Sequence, residues 1–122
     1  MIKLNVLILG ASDNPERFSY KANELLHQSG HRVFMVAQKQ KAFVGGLIQC
    51  EFPVTERIDV ITLYVGPKNQ VNWYSSILAS VPQKVIFNPG TENPELQLKL
   101  SEKGIPWEEA CTLVLLQTNQ FP

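Results

Sequence analysis

Four short runs, Leu4–Leu9, Val33–Val36, Val60–Val65 and Lys84–Phe87, are almost continuously apolar and rich in β-branched residues. A strand that is apolar on both faces has to be covered on both faces, which describes a parallel sheet rather than an alternating, half-exposed one. A weaker fifth run lies near Pro106–Glu108. The segments between them carry helical spacing. Ala22, Leu25, Leu26 and Ser29 share one face, with Gly30 placed to stop the helix. Val71, Tyr74, Ile77, Leu78 and Val81 share another, ended by Pro82. Leu96, Leu98, Leu100 and Lys103 run on to Gly104. The tail Thr112–Gln117 suits a short helix or a strand equally well. Gln38–Thr55 is too irregular for a full helix and is read as loop, with room for a short strand and one helical turn.

This alternation predicts an α/β fold of Rossmann-like, three-layer, doubly wound type. Its sheet has five mainly parallel strands, helices on both faces and right-handed crossovers. A chain of 122 residues without an internal linker is expected to form a single domain over 1–122. In such sheets ligands bind beyond the carboxyl ends of the strands, where the strand order reverses. The segments to inspect are therefore Gly10–Ser19, Ala37–Lys41, Val65–Lys68, Asn88–Asn93 and Ala110–Thr112.

Charge narrows the ligand classes. The formal net charge is +0, so no overall field draws in nucleic acid or an anionic membrane, and any anion site has to be built locally. The apolar N-terminal run stops at Gly10, short of a signal peptide and of the roughly 20 apolar residues of a membrane span. Cys50 and Cys111 form no CxxC pair and are read as reduced thiols. The expected location is the cytoplasm.

The segment "GASDNPERFSYK", Gly10–Lys21, offers the most chemistry. Gly10 permits a tight turn off the first strand, and Ala11 and Ser12 leave the backbone open to a phosphate. The next helix starts either at Asn14–Pro15, with Asn as N-cap, or at Ser19. The second start gives a longer loop, Asp13 and Asn14 included, that can wrap a diphosphate with Arg17 paired to it. After the second strand an NAD site would carry an acid, about 20 residues beyond the glycines, to hold the ribose hydroxyls. Gln38 and Lys39 stand there instead, which disfavours NAD and suits a phosphorylated ribose, as in NADP or CoA. Gly66 lets a ligand approach the third strand end beside Val65, and Pro67 can open the following helix. Asn88, Pro89 and Gly90 form a tight turn with either a contact role or a purely structural one, and Thr91 or Asn93 can cap the next helix ahead of Pro94.

Catalytic constellations are poor. His27 and His31 flank Gly30 and read as a surface pair favoured by the helix dipole. Glu108 and Glu109, if in a strand, point to opposite faces. Trp73 and Trp107 read as packing groups. No metal-ligand spacing is present.

Taken together, "VLILGASDNPERFSYKANELL", "ITLYVGP" and "FNPGTENPEL…GIPWEEACTLVLL" resemble the small single-domain CoA-binding proteins of bacteria. Those are similar in turn to the CoA-binding N-terminal domain of the succinyl-CoA synthetase α subunit. The resemblance spans nearly the whole chain and implies a Rossmann-like CoA-binding fold. It places the diphosphate loop on Gly10–Arg17, with Ser19 at the helix start. It matches Lys39 to a lysine near the CoA phosphates and Val65–Pro67 to the segment against the adenosine. Family members usually carry a Pro-containing turn after the second strand, where this chain has Ala37–Gln38. The synthetase's phosphorylated histidine belongs to another domain, so ligase activity is not implied.

The resulting expectation is a binding module for coenzyme A or an acyl-CoA, without catalysis of its own. The candidate contacts are Gly10, Ala11, Ser12, Asp13, Asn14, Pro15, Arg17, Ser19, Lys39, Val65, Gly66, Pro67, Asn88, Pro89 and Gly90. The expected partner is a small nucleotide ligand, with no nucleic acid and no membrane; a protein partner or homo-oligomer stays open. Two alternatives stand beside it: a small NADP- or acyl-CoA-dependent enzyme, and a ligand-free interaction domain of the same fold.

Overall fold

The computed structural model describes residues 2–122. The strands are β1 (Asn5–Leu9), β2 (Arg32–Val36), β3 (Lys41–Phe43), β4 (Gly46–Gln49), β5 (Val60–Leu63), β6 (Lys84–Phe87) and β7 (Trp107–Glu109). They form one sheet in the order β3-β4-β2-β1-β5-β6-β7, parallel throughout except for β3, which runs antiparallel to β4. The helices are α1 (Phe18–Gln28), α2 (Pro67–Gln70), α3 (Tyr74–Ser80), α4 (Pro94–Glu102) and α5 (Thr112–Gln117), with a 3₁₀ turn at Val71–Trp73. No helix of the described residues is long and apolar enough to cross a membrane.

The three-layer reading holds, and the strand residues show why. Along β1, Leu7 and Leu9 face a core shared with Ile77 of α3 and with Leu96 and Leu100 of α4. Val6 and Ile8 face the opposite core, shared with Ala22 and Leu26 of α1 and with Leu113, Leu115 and Leu116 of α5. Because side chains alternate across a strand, a run apolar at every position fills both cores at once. The chain moves outward from β1 to β2, then returns past β1 to β5, β6 and β7. The reversal lies between β1 and β5.

The sheet has seven strands rather than five. The two additional strands are β3 and β4, inside the segment read as mostly loop. Phe43 pairs with Gly46 across the two-residue turn Val44–Gly45, and Gly46 has φ +130°. Each arm is too short to show periodicity, but a Gly-Gly between apolar residues is itself a hairpin signal. Other boundaries differ by residues with local causes. The third run ends as a strand at Leu63, two residues before Val65. The expected helix over Val71–Val81 begins with the 3₁₀ turn and stops at Ser80, so Ile77 is buried whereas Val71, in the turn, and Val81, in the left-handed cap, are exposed. In α4, Leu96 and Leu100 are buried and Leu98 faces solvent. Asn93 caps α4, accepting from the amides of Glu95 and Leu96, with Pro94 in the first turn.

His31 is half-buried rather than free on the surface. Its Nδ1 accepts the Leu4 amide at 3.1 Å, and its ring lies 5.3 Å from that of Phe121. Burial holds its pKa below the ordinary value of about 6.5. The unfolded chain therefore binds this proton more readily than the folded one. The associated stability is complete above the ordinary value and is lost as the pH falls below it towards the lowered, folded value. Urea midpoints should drop between pH 7.5 and pH 5.5 more steeply in the wild type than in His31→Asn, whose amide oxygen can accept the same bond without titrating. Equal slopes would remove His31 from the acid response.

Candidate functional site

The carboxyl ends of β1, β2 and β5 meet at the sheet's reversal point, and Gly10 joins them. Its amide and that of Ala11 both donate to the Val36 carbonyl, at 2.8 and 3.1 Å, while the Tyr64 amide donates to Leu9 at 2.8 Å. Gly10 has φ +96°, and a Cβ there would lie 2.9 Å from both the Tyr64 carbonyl carbon and Val65 Cγ1. Only glycine lets the first loop leave the sheet this close to β5.

Beyond Gly10 the loop organises itself with short polar side chains. Ser12 Oγ accepts the Asn14 amide at 3.0 Å, Asn14 Oδ1 accepts the Glu16 amide at 3.0 Å, and the Arg17 amide donates to the Asn14 carbonyl. Asn14 and Pro15 thus complete a turn of their own, and α1 starts three residues after Pro15, at Phe18. Neither expected start is realised: Arg17 occupies the cap position and Ser19 lies buried inside the first turn. The amides of Ser12, and of Phe18 and Ser19 at the head of α1, donate to no acceptor among the described residues, while that of Asp13 lies against its own carboxylate. Those of Phe18 and Ser19 are free donors at the positive end of a helix. Arg17 and Lys39 are exposed and make no ion pair among the described residues. Asp13, by contrast, is paired with Lys41 of β3.

Beside the loop, between the ends of β2 and β5, lies a cleft of about 380 Å³ lined by Ala37, Gln38, Cys50, Val65, Asn72 and Trp73. It adjoins a second hollow of about 600 Å³ that shares Cys50, Asn72 and Trp73. Trp73 packs on Phe52 at 5.9 Å while also walling the cleft. Sequence reasoning missed Asn69, Asn72 and Cys50 as lining residues. For the first two a signal was available, since they follow Pro67, the helix opener beside the third strand end, by two and five residues. The space beside Gly66 is open, with no atom within 4 Å of where a Cβ would stand. A larger hollow of about 650 Å³, lined by Leu4, His31, Leu116 and Phe121, sits at the amino ends of the strands, opposite to where this class of sheet binds ligands.

Asn88 is buried and lines none of these hollows. It donates to Thr62 Oγ1 at 2.7 Å and to the Leu63 carbonyl at 2.8 Å, and accepts the Thr112 amide at 2.8 Å. Gln70 extends this network, donating to the carbonyls of Val65 and Thr91 and accepting from Asn93. Pro89 and Gly90 are exposed on the neighbouring β6 loop and line none of these hollows. Glu108 pairs with Lys84 and Glu109 accepts from Gln97 of α4, so the two acids serve different neighbours.

A model of the CoA binding domain family matches residues 5–117. This chain belongs to the CoA binding domain family. The match takes in β1, the first loop, all three strand ends of the cleft and the β6 turn. A crystal structure of an uncharacterized protein is similar to this CoA-binding domain over 99% of the chain and 100% of its own length, with 44% identity and a TM-score of 0.93. A Thermus thermophilus structure designated cell-free ID.343 matches with TM-score 0.86 and 23% identity, covering 98% and 91% of the two chains. A hypothetical protein from Pyrococcus horikoshii matches with TM-score 0.83 and 24% identity, covering 93% and 81%. The last two share the fold. No curated protein matches the chain.

Proposed function

We propose that this domain binds coenzyme A or an acyl-CoA at the β1–α1 loop and the adjoining cleft, and that recognition is its whole task. One observation carries the reading: the β1–α1 loop, at the sheet's reversal point, holds the unused amides of Ser12, Phe18 and Ser19, and Arg17 and Lys39 form no ion pair among the described residues. These groups suit a diphosphate, because free N–H donors at a helix start and nearby positive charge stabilise an anion without a binding-induced rearrangement. Gly10, Ala11, Asn14 and Pro15 would hold the loop's shape. Val65, Gly66 and Pro67 would lie along the adenosine, and Gln38 and Trp73 would close that side of the cleft. Asn88 would act beneath the site through Thr62 and Thr112, with Pro89 and Gly90 at its margin.

Two groups near the loop, Asp13 and Tyr64, are set away from acid–base work. Lys41 holds the Asp13 carboxyl below its usual range, so it stays ionised. Burial pushes the Tyr64 hydroxyl up to about 12, so it stays protonated. A general acid or base works best with a pKa near the operating pH, and both groups are moved away from it. Two unpaired thiols, Cys50 and Cys111, suit a reducing compartment such as the cytoplasm.

Thermal denaturation with CoA, dephospho-CoA, NAD and NADP in parallel tests this reading. CoA should raise the Tm most. A ligand at 100 times its Kd stabilises the native state by about 2.7 kcal/mol. Indifference to all four ligands, or a larger shift with NADP, would contradict it. Lys39→Ala should narrow the gap between CoA and dephospho-CoA, because its ammonium is assigned to the ribose phosphate. An unchanged gap would withdraw that assignment.

A further inference from the structure

Asp13 has the wrong charge for its position. Its carboxylate lies in the turn whose free amides are assigned to a diphosphate, where another anion would be repelled. Its partner explains how it is accommodated. Asp13 Oδ2 pairs with Nζ of Lys41, the first residue of β3, and both side chains are partly exposed. The pair ties the β1–α1 loop to the β3–β4 hairpin across the end of β2, which lies between β1 and β4 in the sheet. Lys41 is therefore held at the Ser12–Asp13 turn by an anion belonging to the protein itself. Lys39, two residues earlier, has no such partner among the described residues.

We propose that Asp13 is a resident counter-ion that occupies Lys41 in the free protein, and that Lys41 passes from Asp13 to the diphosphate when CoA binds. The inference rests on the CoA reading of this loop and specifies how its affinity is set. Lys41 becomes the cation of the diphosphate and Lys39 that of the ribose phosphate. Asp13 lowers affinity for every ligand in proportion to the pair that must open. It also keeps the lysine positioned rather than free, since its ammonium waits within reach of the loop. An exposed pair of this kind adds little to folding, so both residues can be changed without losing the native state.

The test is calorimetric titration of the wild type, Asp13→Asn and Lys41→Ala with CoA and with dephospho-CoA, on proteins whose thermal melts show them folded. Asp13→Asn should bind both ligands more tightly and Lys41→Ala both more weakly, each by roughly threefold to tenfold. The two ligands should respond equally, because both carry the diphosphate. An Asn variant that binds no tighter than wild type, or a Lys41→Ala variant of wild-type affinity, overturns the exchange. A loss confined to CoA overturns the diphosphate assignment and moves Lys41 to the ribose phosphate. If the wild type binds neither ligand, the CoA reading itself falls and this proposal falls with it.

Discussion

Gly10→Ala is expected to lower stability by about 3 kcal/mol, from strained backbone at positive φ and from overpacking against a neighbouring strand. The clash falls on the Tyr64 carbonyl carbon and on Val65 Cγ1, both at 2.9 Å, and the first of these is backbone that cannot turn aside. Relief would require β1 and β5 to separate at the reversal point, which also opens the cleft. Urea denaturation should therefore show a large midpoint shift, together with loss of CoA-dependent stabilisation. Gly66→Ala is the matched control, since its φ of −68° is ordinary and no atom lies within 4 Å of the added carbon. That variant should change stability by less than about 1 kcal/mol. Equal effects of the two substitutions would contradict the close approach of the first loop to β5.

Asn88→Ala should cost a similar amount, about 3–4 kcal/mol, for a different reason. The side chain bridges three elements, with Thr62 and Leu63 on β5, its own position at the end of β6, and the Thr112 amide at the head of α5. Its removal leaves the Leu63 carbonyl and the Thr112 amide buried with a partner missing, and each such group costs roughly 1–3 kcal/mol. Thr62 and Thr112 retain their mutual bond at 2.7 Å, so the loss is centred on the start of α5. Hydrogen exchange should accelerate at Thr112 before it does in β1. A variant as stable as wild type would mean that water or a neighbour replaces the bridge.

The parallel core was legible because burial on both faces leaves an unbroken apolar run that survives in a bare sequence: every residue from Val6 to Leu9 is apolar, and every one is buried. The hairpin was not, because β3 and β4 have three and four residues, too few for a pattern, and β3 lies at an open edge where composition is free. The helix face from Val71 to Val81 failed at its two ends, because periodicity assumes one uninterrupted helix, whereas Val71 falls in a 3₁₀ turn and Val81 in the left-handed cap after Ser80. Gly10 and the loop's polar residues were legible as a site because their chemistry is local. The Asp13–Lys41 pair was not, since it joins residues 28 positions apart through a hairpin the sequence did not reveal. Asn88 was open to either a contact or a structural reading, and neighbours on two other elements fix the structural one. Sequence shows where a polar residue sits along the chain and not which way it faces.

The central claim is that the free amides of the β1–α1 loop receive the CoA diphosphate. Titrating CoA into ¹⁵N-labelled protein and following the backbone amides tests it residue by residue. The account predicts saturable shifts at Ser12, Asp13, Phe18 and Ser19, accompanied by the Val65–Gly66 amides, with Leu4 and His31 at the far end of the sheet unmoved. Amides of the first loop that stay in place at millimolar CoA, or shifts gathered instead around Leu116 and Phe121, would contradict it.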